Sequence, residues 1–330
     1  MSWARSKTSW AGPAAGARLP DGPAGTEGMR AMEVTASAIR FRESCAAART
    51  AGQAGGFVPT MGALHAGHAR LIETAKGECG FVAASIFVNP LQFGPAEDLS
   101  AYPRPIERDR ETAESLGCDL LFVPSEAEMY PRGLTEVTVD PGPLGDRLEG
   151  ASRPGHFRGV LTVVAKLFDL LGPGRAYFGE KDAQQLALVR RMVADLNMPV
   201  EVVTVPTVRE PDGLALSSRN AYLDPTERAV APVLFEALSD AAVRVRGGER
   251  DARVLKAEMA RTVGAEPLAK VEYVAVVDDM TWEEIGEIAG PARALVAARV
   301  GPARLIDNLL LPWQPGPSVQ NSHDSAANEG

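Results

Sequence analysis

The organising segment of the sequence is Gly56-Phe57-Val58-Pro59-Thr60-Met61-Gly62-Ala63-Leu64-His65-Ala66-Gly67-His68, which continues into Ala69-Arg70-Leu71-Ile72. Its pattern predicts a strand, a tight turn and a helix. Phe57 and Val58 stand between a glycine pair and a proline, which is typical of a short buried strand, and Leu71, Ile72 and Ala75 recur at helical spacing. We therefore expect a strand–loop–helix unit with a glycine-rich loop.

The loop of this unit is suited to binding a phosphate group. Gly62 and Gly67 allow the backbone to approach a bulky anion, and the first N–H groups and positive dipole end of the helix point to the same place. His65 and His68 lie three residues apart, so both imidazoles can lie on one face of the first helical turn and donate to a polyphosphate.

Two other interpretations of the H-x-G-H tetrad remain open when it is considered alone. The histidines could be an incidental surface pair, or they could be half of a zinc site. Further zinc ligands are missing nearby, because the three cysteines, at positions 45, 79 and 118, have no paired spacing. We therefore expect no metal to be bound directly by protein side chains.

Composition limits the class of protein. With 330 residues, of which 45% are hydrophobic and 23% charged, the chain is long enough for two domains with a real core. A formal net charge of -9 argues against a nucleic-acid partner. The first 30 residues contain no apolar run suited to a signal peptide or membrane span. Unpatterned cysteines favour a reducing compartment, so we expect a cytoplasmic protein without a membrane partner.

The chain alternates between strand-like and helical patterns up to about residue 207. Besides the central unit, these patterns predict a helix from an N-cap at Thr35 to near Gly52, strands at 81–88, 119–123, 136–139, 175–178 and 200–205, and helices at 105–116, 158–171 and from the 180–186 turn to about 197. This rhythm predicts a doubly wound parallel sheet in an α/β fold.

A second, smaller unit is predicted after residue 207. Helices near 225–246 and 251–264 and strands at 271–277, 294–300 and 303–311 indicate an α+β domain. Residues 1–32 and 314–330 are rich in small and polar residues and in proline, and we expect a disordered leader and tail. The predicted domains are therefore 33–207 and 208–313.

Polar groups follow several of the predicted strands. Asn89 and Gln92 come after the strand at 81–88, and Lys181 stands where a strand gives way to a helix. Loops at the carboxyl ends of parallel strands build the sites of such sheets. Arg153 precedes an amphipathic helix and could contact an anion. Arg153 could equally be an ordinary solvated side chain, and a lysine one residue past a turn, as Lys181 is, is more often simply exposed.

Five segments resemble the pantothenate synthetase (pantoate–β-alanine ligase) family: P-T-M-G-A-L-H-x-G-H, F-V-N-P-L-Q-F, E-G-x-x-R-P-G-H-F, F-G-E-K-D-x-Q-Q-L and L-S-S-R-N. The resemblance runs from about residue 35 to 310. It implies a Rossmann-like sheet of the class I nucleotidyltransferase type and an ATP-dependent ligation in two steps, first to pantoyl adenylate and pyrophosphate, then to pantothenate and AMP. It also implies Mg²⁺ and a homodimer.

The resemblance further implies roles for individual residues. Contacts to the ATP phosphates fall to His65, His68, Lys181, Ser217, Ser218 and Arg219. Other ATP contacts are Pro59, Thr60, Met61, Gly62, Gly67, Gly179 and Asp182, pantoate contacts are Gln92 and Gln185, and further possible contacts are Asn89 and Arg153. One departure is Ala183, where the family usually has an aromatic residue, which puts the packing near Gln185 in doubt.

Three alternatives to a pantoate ligase remain. Another nucleotidyltransferase of the same fold would not use pantoate to drive pyrophosphate exchange, and a nucleotide-binding regulator would bind ATP without consuming it. An aminoacyl-tRNA synthetase is disfavoured by the acidic charge. Because an acyl phosphate reacts with water, the smaller domain, which carries Ser217–Arg219, is expected to act as a lid.

Overall fold

A parallel sheet flanked by helices forms the N-terminal part of the fold, and a small antiparallel sheet follows it. The computed structural model describes residues 31–95, 97 and 99–313. The predicted leader and tail, apart from Ala31 and Met32, lie outside the described residues. Residues 32–313 belong to one compact unit, so the division near residue 207 remains a prediction.

The strands are β1 (Glu33–Thr35), β2 (Gly55–Thr60), β3 (Phe81–Ile86), β4 (Leu120–Phe122), β5 (Gly174–Gly179), β6 (Val200–Val205), β7 (Ala269–Asp278), β8 (Ala292–Val300) and β9 (Ala303–Leu310). The α-helices are α1 (Ala38–Thr50), α2 (Ala66–Glu78), α3 (Ile106–Ser115), α4 (Glu126–Met129), α5 (Glu149–Ser152), α6 (His156–Leu171), α7 (Ala183–Asp195), α8 (Pro225–Val230), α9 (Val233–Arg246) and α10 (Ala252–Gly264). Short 3₁₀ turns cover Pro90–Gln92, Pro143–Asp146, Glu180–Asp182 and Ser218–Tyr222.

The parallel sheet has the strand order β1-β4-β3-β2-β5-β6. From β2 the chain winds outward through β3 to β4 on one side, and through β5 to β6 on the other. The strand order therefore reverses between β2 and β5, which pair in parallel at the centre. This arrangement confirms the predicted doubly wound sheet and places a crevice at the carboxyl ends of β2 and β5.

Helices cover both faces of this sheet. Alternate residues of its strands are therefore buried on opposite sides. Phe57 of β2 packs in the cluster formed with α1, α6 and α7, whereas Val58 packs in the cluster formed with α2 and α3. Phe57, Val58, Leu120 and Leu121 have no solvent exposure. The two clusters hold the central strands rigidly, so the loops that leave their carboxyl ends start from fixed positions.

The C-terminal sheet has the antiparallel order β7-β8-β9. One face packs on α9 and α10 through residues such as Leu238, Leu255 and Val296. The other face packs against Ala183 of α7 through Leu295, together with Trp282 of the segment that joins β7 to β8. This unit agrees with the predicted α+β pattern, except that the helix expected at 225–246 is two helices, α8 and α9, separated at Ala231 and Pro232.

Two details of the sequence prediction are wrong. Thr35 does not cap α1. It ends the edge strand β1 and pairs with Phe122, while Ser37 caps the helix by accepting the N–H of Arg40 at 3.3 Å. The three-residue strand β1 was missed because its partner β4 lies far away in sequence. The strand expected at 136–139 is also absent from the described sheets, and Val137 is 85% exposed.

Candidate active site

Two predicted motifs meet where the strand order reverses. The histidine loop leaves the carboxyl end of β2, and the turn Glu180–Asp182 leaves the carboxyl end of the adjacent β5. In doubly wound sheets a crevice opens at this point. A cavity of about 240 Å³ lies here, lined by residues of both motifs.

The two histidines of the loop form a reciprocal cap on α2. Nδ1 of His65 accepts the N–H of Gly67 at 3.1 Å, and Nδ1 of His68 accepts the N–H of His65 at 3.3 Å. Because each Nδ1 is an acceptor, the proton of each neutral ring lies on Nε2. The rings are close together, with centroids 4.1 Å apart. The backbone hydrogen bonds to Nδ1 therefore leave both rings with an Nε2–H donor at the cavity.

Both imidazoles are neutral at pH 7. Burial lowers the pKa of His65 to about 4, with a further contribution from the positive charge of Lys181. Burial also lowers the pKa of His68 to about 3, and His65 and Lys181 add to the effect. The pair can consequently donate hydrogen bonds to an anion without adding net charge to the cavity.

The backbone of the histidine loop is less available than the sequence suggested. The N–H of Gly62 donates to Thr60 Oγ1 at 3.1 Å, and the next two N–H groups donate to the carboxylate of Asp109. The glycines serve the geometry of the loop itself. Gly62 has φ +86° and lies against Asp109, and a side chain at Gly67 would collide with the His65 ring. The N–H groups of Gly62 and Gly67 thus have acceptors within the loop, so phosphate binding by this loop remains a prediction that would depend on its other donors.

Lys181 and Asp182 face the histidines from the turn after β5. Lys181 Nζ lies 3.5 Å from Asp182 Oδ1. Enclosure in the cleft favours the neutral acid, but Lys181 and Arg219 outweigh it and hold the pKa of Asp182 below its ordinary value. Asn308 of β9 fixes the backbone of this turn by donating to the carbonyl oxygens of Glu180 and Lys181 at 3.0 and 2.9 Å.

The predicted L-S-S-R-N segment, which follows the last strand of the parallel sheet, also lines this cavity. Ser217 caps the 3₁₀ turn by accepting the N–H of Arg219 at 3.3 Å. Ser218 Oγ lies 3.4 Å from the hydroxyl of Tyr102. The segment therefore adds two hydroxyls and a guanidinium to the donors of the histidine loop and Lys181.

The structure brings together most of the predicted site. The residues that line the 240 Å³ cavity include Pro59, Thr60, Met61, His65, Gly67, His68, Gln92, Arg153, Gly179, Lys181, Asp182, Gln185, Ser217, Ser218 and Arg219. Gly62 and Asn89 line neither this cavity nor the larger one beside it.

The two predicted pantoate contacts differ in their surroundings. Gln92 is 8% exposed, its Oε1 accepts from Asn89 at 3.2 Å, and its Nε2 lies 2.8 Å from the sulfur of Met61. Asn89 is buried and also bonds to Tyr130 and to the carbonyl of Gly159. The side chain of Gln185 lines the cavity without a hydrogen-bond partner among the described residues.

Arg153 is engaged in an ion pair at the cavity wall. Its guanidinium donates to both carboxylate oxygens of Glu97, at 2.8 and 2.6 Å, and to Nε2 of His156 at 3.0 Å. Partial burial favours neutral Glu97, but Arg153 holds the pKa of this carboxyl below its ordinary value. Nδ1–H of His156 donates to the carbonyl of Gln92 at 2.8 Å. Arg153 thus ties the loop after β3 to α6.

A second cavity, of about 750 Å³, adjoins the first between the two sheets. Seven residues line both cavities: Arg153, His156, Lys181, Asp182, Gln185, Ser217 and Arg219. Glu149, Tyr273 and Arg304 form a buried polar group on its wall. The two cavities are therefore parts of one cleft.

The sequence analysis did not single out several residues of this region, among them Glu97, Asp109 and His156. His156 belongs to the quoted R-P-G-H-F segment, and its place at the start of the strongly apolar helix α6 was an available signal. Asp109 lies in a helix whose charged composition is typical of a solvated surface, so its pattern gave no indication of burial. Glu97 stands in an acidic loop with the same ambiguity.

Within residues 31–95, 97 and 99–313, no group of three or more His, Cys, Asp or Glu side chains could hold a metal ion. Around the cleft, Glu97 is paired with Arg153, and Asp182 lies beside Lys181. In the same described ranges, no helix is long and apolar enough to cross a membrane.

Comparison with known proteins decides the family. A family model described as pantoate-beta-alanine ligase matches residues 33–310. The chain belongs to the pantoate-beta-alanine ligase family. It is therefore a ligase, and the family relation supports a function in pantothenate formation.

Individual relatives and solved structures agree with this family. A pantothenate synthetase of Chloroflexus aggregans is 57% identical over 258 residues, which cover 78% of this chain and 92% of the relative. The crystal structure of pantothenate synthetase from Thermus thermophilus has 49% identity and a TM-score of 0.79, and the match covers 85% of this chain and 99% of the other. A Francisella tularensis pantoate-beta-alanine ligase, complexed with beta-gamma ATP and beta-alanine, has 36% identity and a TM-score of 0.70, with 87% and 100% covered.

Proposed function

We propose that this ligase joins pantoate to β-alanine through a pantoyl-adenylate intermediate and releases pyrophosphate and AMP. The observation that carries the proposal is the set of donors where the strand order reverses between β2 and β5. These donors are two neutral imidazoles with Nε2–H, Lys181, and the Ser217–Arg219 segment. Such donors suit a transition state in which negative charge grows on phosphate oxygens. The reaction needs no protein nucleophile.

In the first step, a carboxylate oxygen of pantoate attacks the α-phosphorus of ATP. The bond from this phosphorus to the bridging oxygen of the β-phosphate breaks, and pyrophosphate leaves with the electron pair. His65, His68 and Lys181 donate to the phosphate oxygens, and Ser217, Ser218 and Arg219 donate from the opposite wall. Pro59, Thr60, Met61, Gly179 and Asp182 bind the rest of the nucleotide. Fixed donors lower the barrier because they need no reorganisation when the charge develops.

Pantoate is proposed to lie beside the two glutamines. An amide donates to one oxygen and accepts from a hydroxyl, which matches a substrate with a carboxylate and two hydroxyls. The same cavity has an apolar wall of Val163, Val164 and Leu167, which suits the geminal dimethyl group. An amide also leaves the carboxylate more nucleophilic than an ion pair with lysine or arginine would.

In the second step, the neutral amine of β-alanine attacks the acyl carbon of pantoyl adenylate. The bond from this carbon to the phosphate oxygen breaks, AMP leaves with that oxygen, and the amine releases a proton to solvent. The larger cavity, which the two histidines do not line, would provide space for the amine to approach. The Francisella relative, which is complexed with β-alanine, supports this substrate.

Mg²⁺ is proposed to enter with ATP rather than to occupy a protein cage. Mg²⁺ keeps several waters and is commonly held by substrate phosphates with few carboxylates. The donor set fits this mode, because the cleft presents cations, amides and hydroxyls, with Asp182 as its nearest carboxylate to Lys181. When bound, the ion supplies additional neutralisation of phosphate charge.

We also propose a homodimer in the cytoplasm. Leu134 and Val137, 56% and 85% exposed, lie in a surface segment outside the described sheets and could be covered by a second copy. Cys45, Cys79 and Cys118 are buried and unpaired, which fits a reducing compartment. Sedimentation as a monomer would contradict the dimer, and cell fractionation tests the compartment.

The experiment that tests the proposed reaction is ATP–pyrophosphate exchange. Pantoate without β-alanine should support exchange, and AMP should be released only after β-alanine is added. His65→Ala, His68→Ala and Lys181→Ala should each reduce exchange about 10²-fold or more while the protein remains folded. An exchange reaction that requires β-alanine would rule out the two-step route.

A further inference from the structure

The histidine loop rests on a buried carboxylate from a different element. Asp109 of α3 is 1% exposed. Its Oδ2 accepts the N–H of Ala63 at 2.7 Å, and its Oδ1 accepts the N–H of Leu64 at 2.7 Å. No cation forms an ion pair with Asp109 among the described residues. The carboxylate is therefore dedicated to the loop that carries the two histidines.

The conformation of the loop explains why two acceptors are needed at this place. Gly62 and Ala63 have φ values of +86° and +51°, and the left-handed conformation is unfavourable for alanine. Two consecutive N–H groups then point to the same side. Each requires an acceptor because the site is buried. A carboxylate supplies both acceptors, whereas an amide supplies one acceptor and places an NH₂ group against the other N–H.

The position of both imidazoles depends on this loop. Leu64, held by Asp109, directly precedes His65. The N–H of His65 donates to Nδ1 of His68, and the His65 ring folds back over Gly67. A shift of the loop would therefore move both rings and remove the bond that keeps the proton of His68 on Nε2.

We propose that Asp109 is a positioning residue for the ligation reaction, which sets the place and the tautomer of His65 and His68 through the loop between them. It acts without contact to substrate. The inference rests on the proposed function of the two histidines at the ATP phosphates.

The test compares Asp109→Asn with Asp119→Asn. Asp119 lies at the amino end of β4, away from the cleft, and also accepts a backbone N–H, that of Val82 at 2.8 Å. In protein with ¹⁵N-labelled histidine, Asp109→Asn should change the ring ¹⁵N shifts of His65 and His68 toward a mixture of tautomers. Pantoate-dependent exchange should fall about 10²-fold, as expected when catalytic groups move by about 1 Å. Asp119→Asn should change neither quantity.

Stability and function are separated by two further measurements. Urea unfolding should show whether both variants are folded, and Asp109→Glu, which keeps both acceptors but misplaces them, replaces Asp109→Asn if the latter does not fold. Unchanged histidine shifts in a folded Asp109 variant, or the same losses in Asp119→Asn, would overturn the inference. Full activity in His65→Ala and His68→Ala would contradict the proposed function instead, while the histidine shifts would still decide the role of Asp109.

Discussion

At the scale of single residues, hydrogen bonds decide the tautomers of three histidines. His65 and His68 accept at Nδ1 and carry their protons on Nε2. His156 has the opposite tautomer, because Arg153 donates to its Nε2 and its Nδ1–H donates to the carbonyl of Gln92. The same residue type therefore supplies donors to the cavity at two positions and a structural link at the third.

These histidines should make the protein sensitive to acid. Burial lowers the pKa of His156 to about 4, with a further contribution from Arg153. Burial also lowers the pKa values of His65 and His68, to about 4 and about 3. In the unfolded chain each imidazole titrates near its ordinary pKa of about 6.5. Between about pH 6.5 and 4 the unfolded chain therefore binds more protons, and the free energy of unfolding should fall as the pH falls through this window.

Urea unfolding between pH 4.5 and 7 measures this effect, and His156→Asn provides the comparison. Asparagine retains a donor for the carbonyl of Gln92 but cannot take up a proton in this range. The pH dependence of the unfolding free energy should weaken by the equivalent of about one proton. An unchanged slope in His156→Asn would show that His156 is protonated equally in both states.

At the scale of secondary structure elements, α7 separates the roles of two adjacent glutamines. Gln184 is 2% exposed, accepts the N–H of Glu149 at 3.1 Å, and donates to the carbonyls of Leu144 and Arg147, both at 2.9 Å. Gln185 lies one position further along the helix and lines both cavities. The helix thus turns one amide to the loop before α5 and the other to the cleft.

Alanine substitutions at the two positions form a matched pair. Gln184→Ala should lower the free energy of unfolding by about 2–4 kcal/mol, because three buried hydrogen bonds lose a partner. Gln185→Ala should leave unfolding within about 0.5 kcal/mol of the original and should raise the KM for pantoate more than the KM for ATP. Equal KM changes for both substrates would indicate that Gln185 supports the shape of the cleft rather than pantoate binding.

Much of the fold could be predicted because its signals are local. The apolar run before Asn89 and the period of Leu71, Ile72 and Ala75 indicate β3 and α2. The edge strand β1 depends on a distant partner, and the alternating Glu136–Val139 segment finds no strand partner among the described residues. A periodic pattern indicates what a segment can form, whereas pairing depends on the assembled sheet.

The candidate site was predictable to the extent that its residues lie in motifs. The motif loops were placed correctly at the carboxyl ends of β2 and β5, and Lys181 and Ser217–Arg219 line the cavity with the histidines. The acceptors of the loop N–H groups could not be predicted, because Asp109 is 45 residues away from Leu64 in sequence. Its neighbours in the charged helix α3 suggest a surface position, and burial arises only from tertiary packing.

At the scale of the whole molecule, polar contacts join the C-terminal sheet to the site. Arg293 donates to Glu180 at 3.0 Å and to Asn308 at 2.6 Å, and Asn308 in turn holds the backbone of the 180–182 turn. Arg304 makes two bonds to the buried carboxylate of Glu149, at 2.7 and 2.8 Å. The sheet therefore supports the turn that carries Lys181, so any lid movement must preserve or exchange these contacts.

Apolar packing accompanies these contacts at Ala183. This residue is 5% exposed and packs in one cluster with Trp282 and Leu295 of the C-terminal part. The small side chain of Ala183 and the large indole of Trp282 thus pack together in this cluster. Ala183 therefore packs at the contact between the two sheets, while Gln185, two positions further along α7, lines the cleft.

In the proposed reaction, the pantoate carboxylate attacks the α-phosphorus of ATP. Pantoate labelled with ¹⁸O in its carboxylate tests this attack, with the products analysed by mass spectrometry after one round of synthesis with β-alanine. Because AMP leaves with the oxygen that bridged the acyl carbon and phosphorus, AMP should carry one ¹⁸O atom and pyrophosphate none. Label in inorganic phosphate together with ADP, or AMP without label, would exclude attack by the carboxylate at the α-phosphorus.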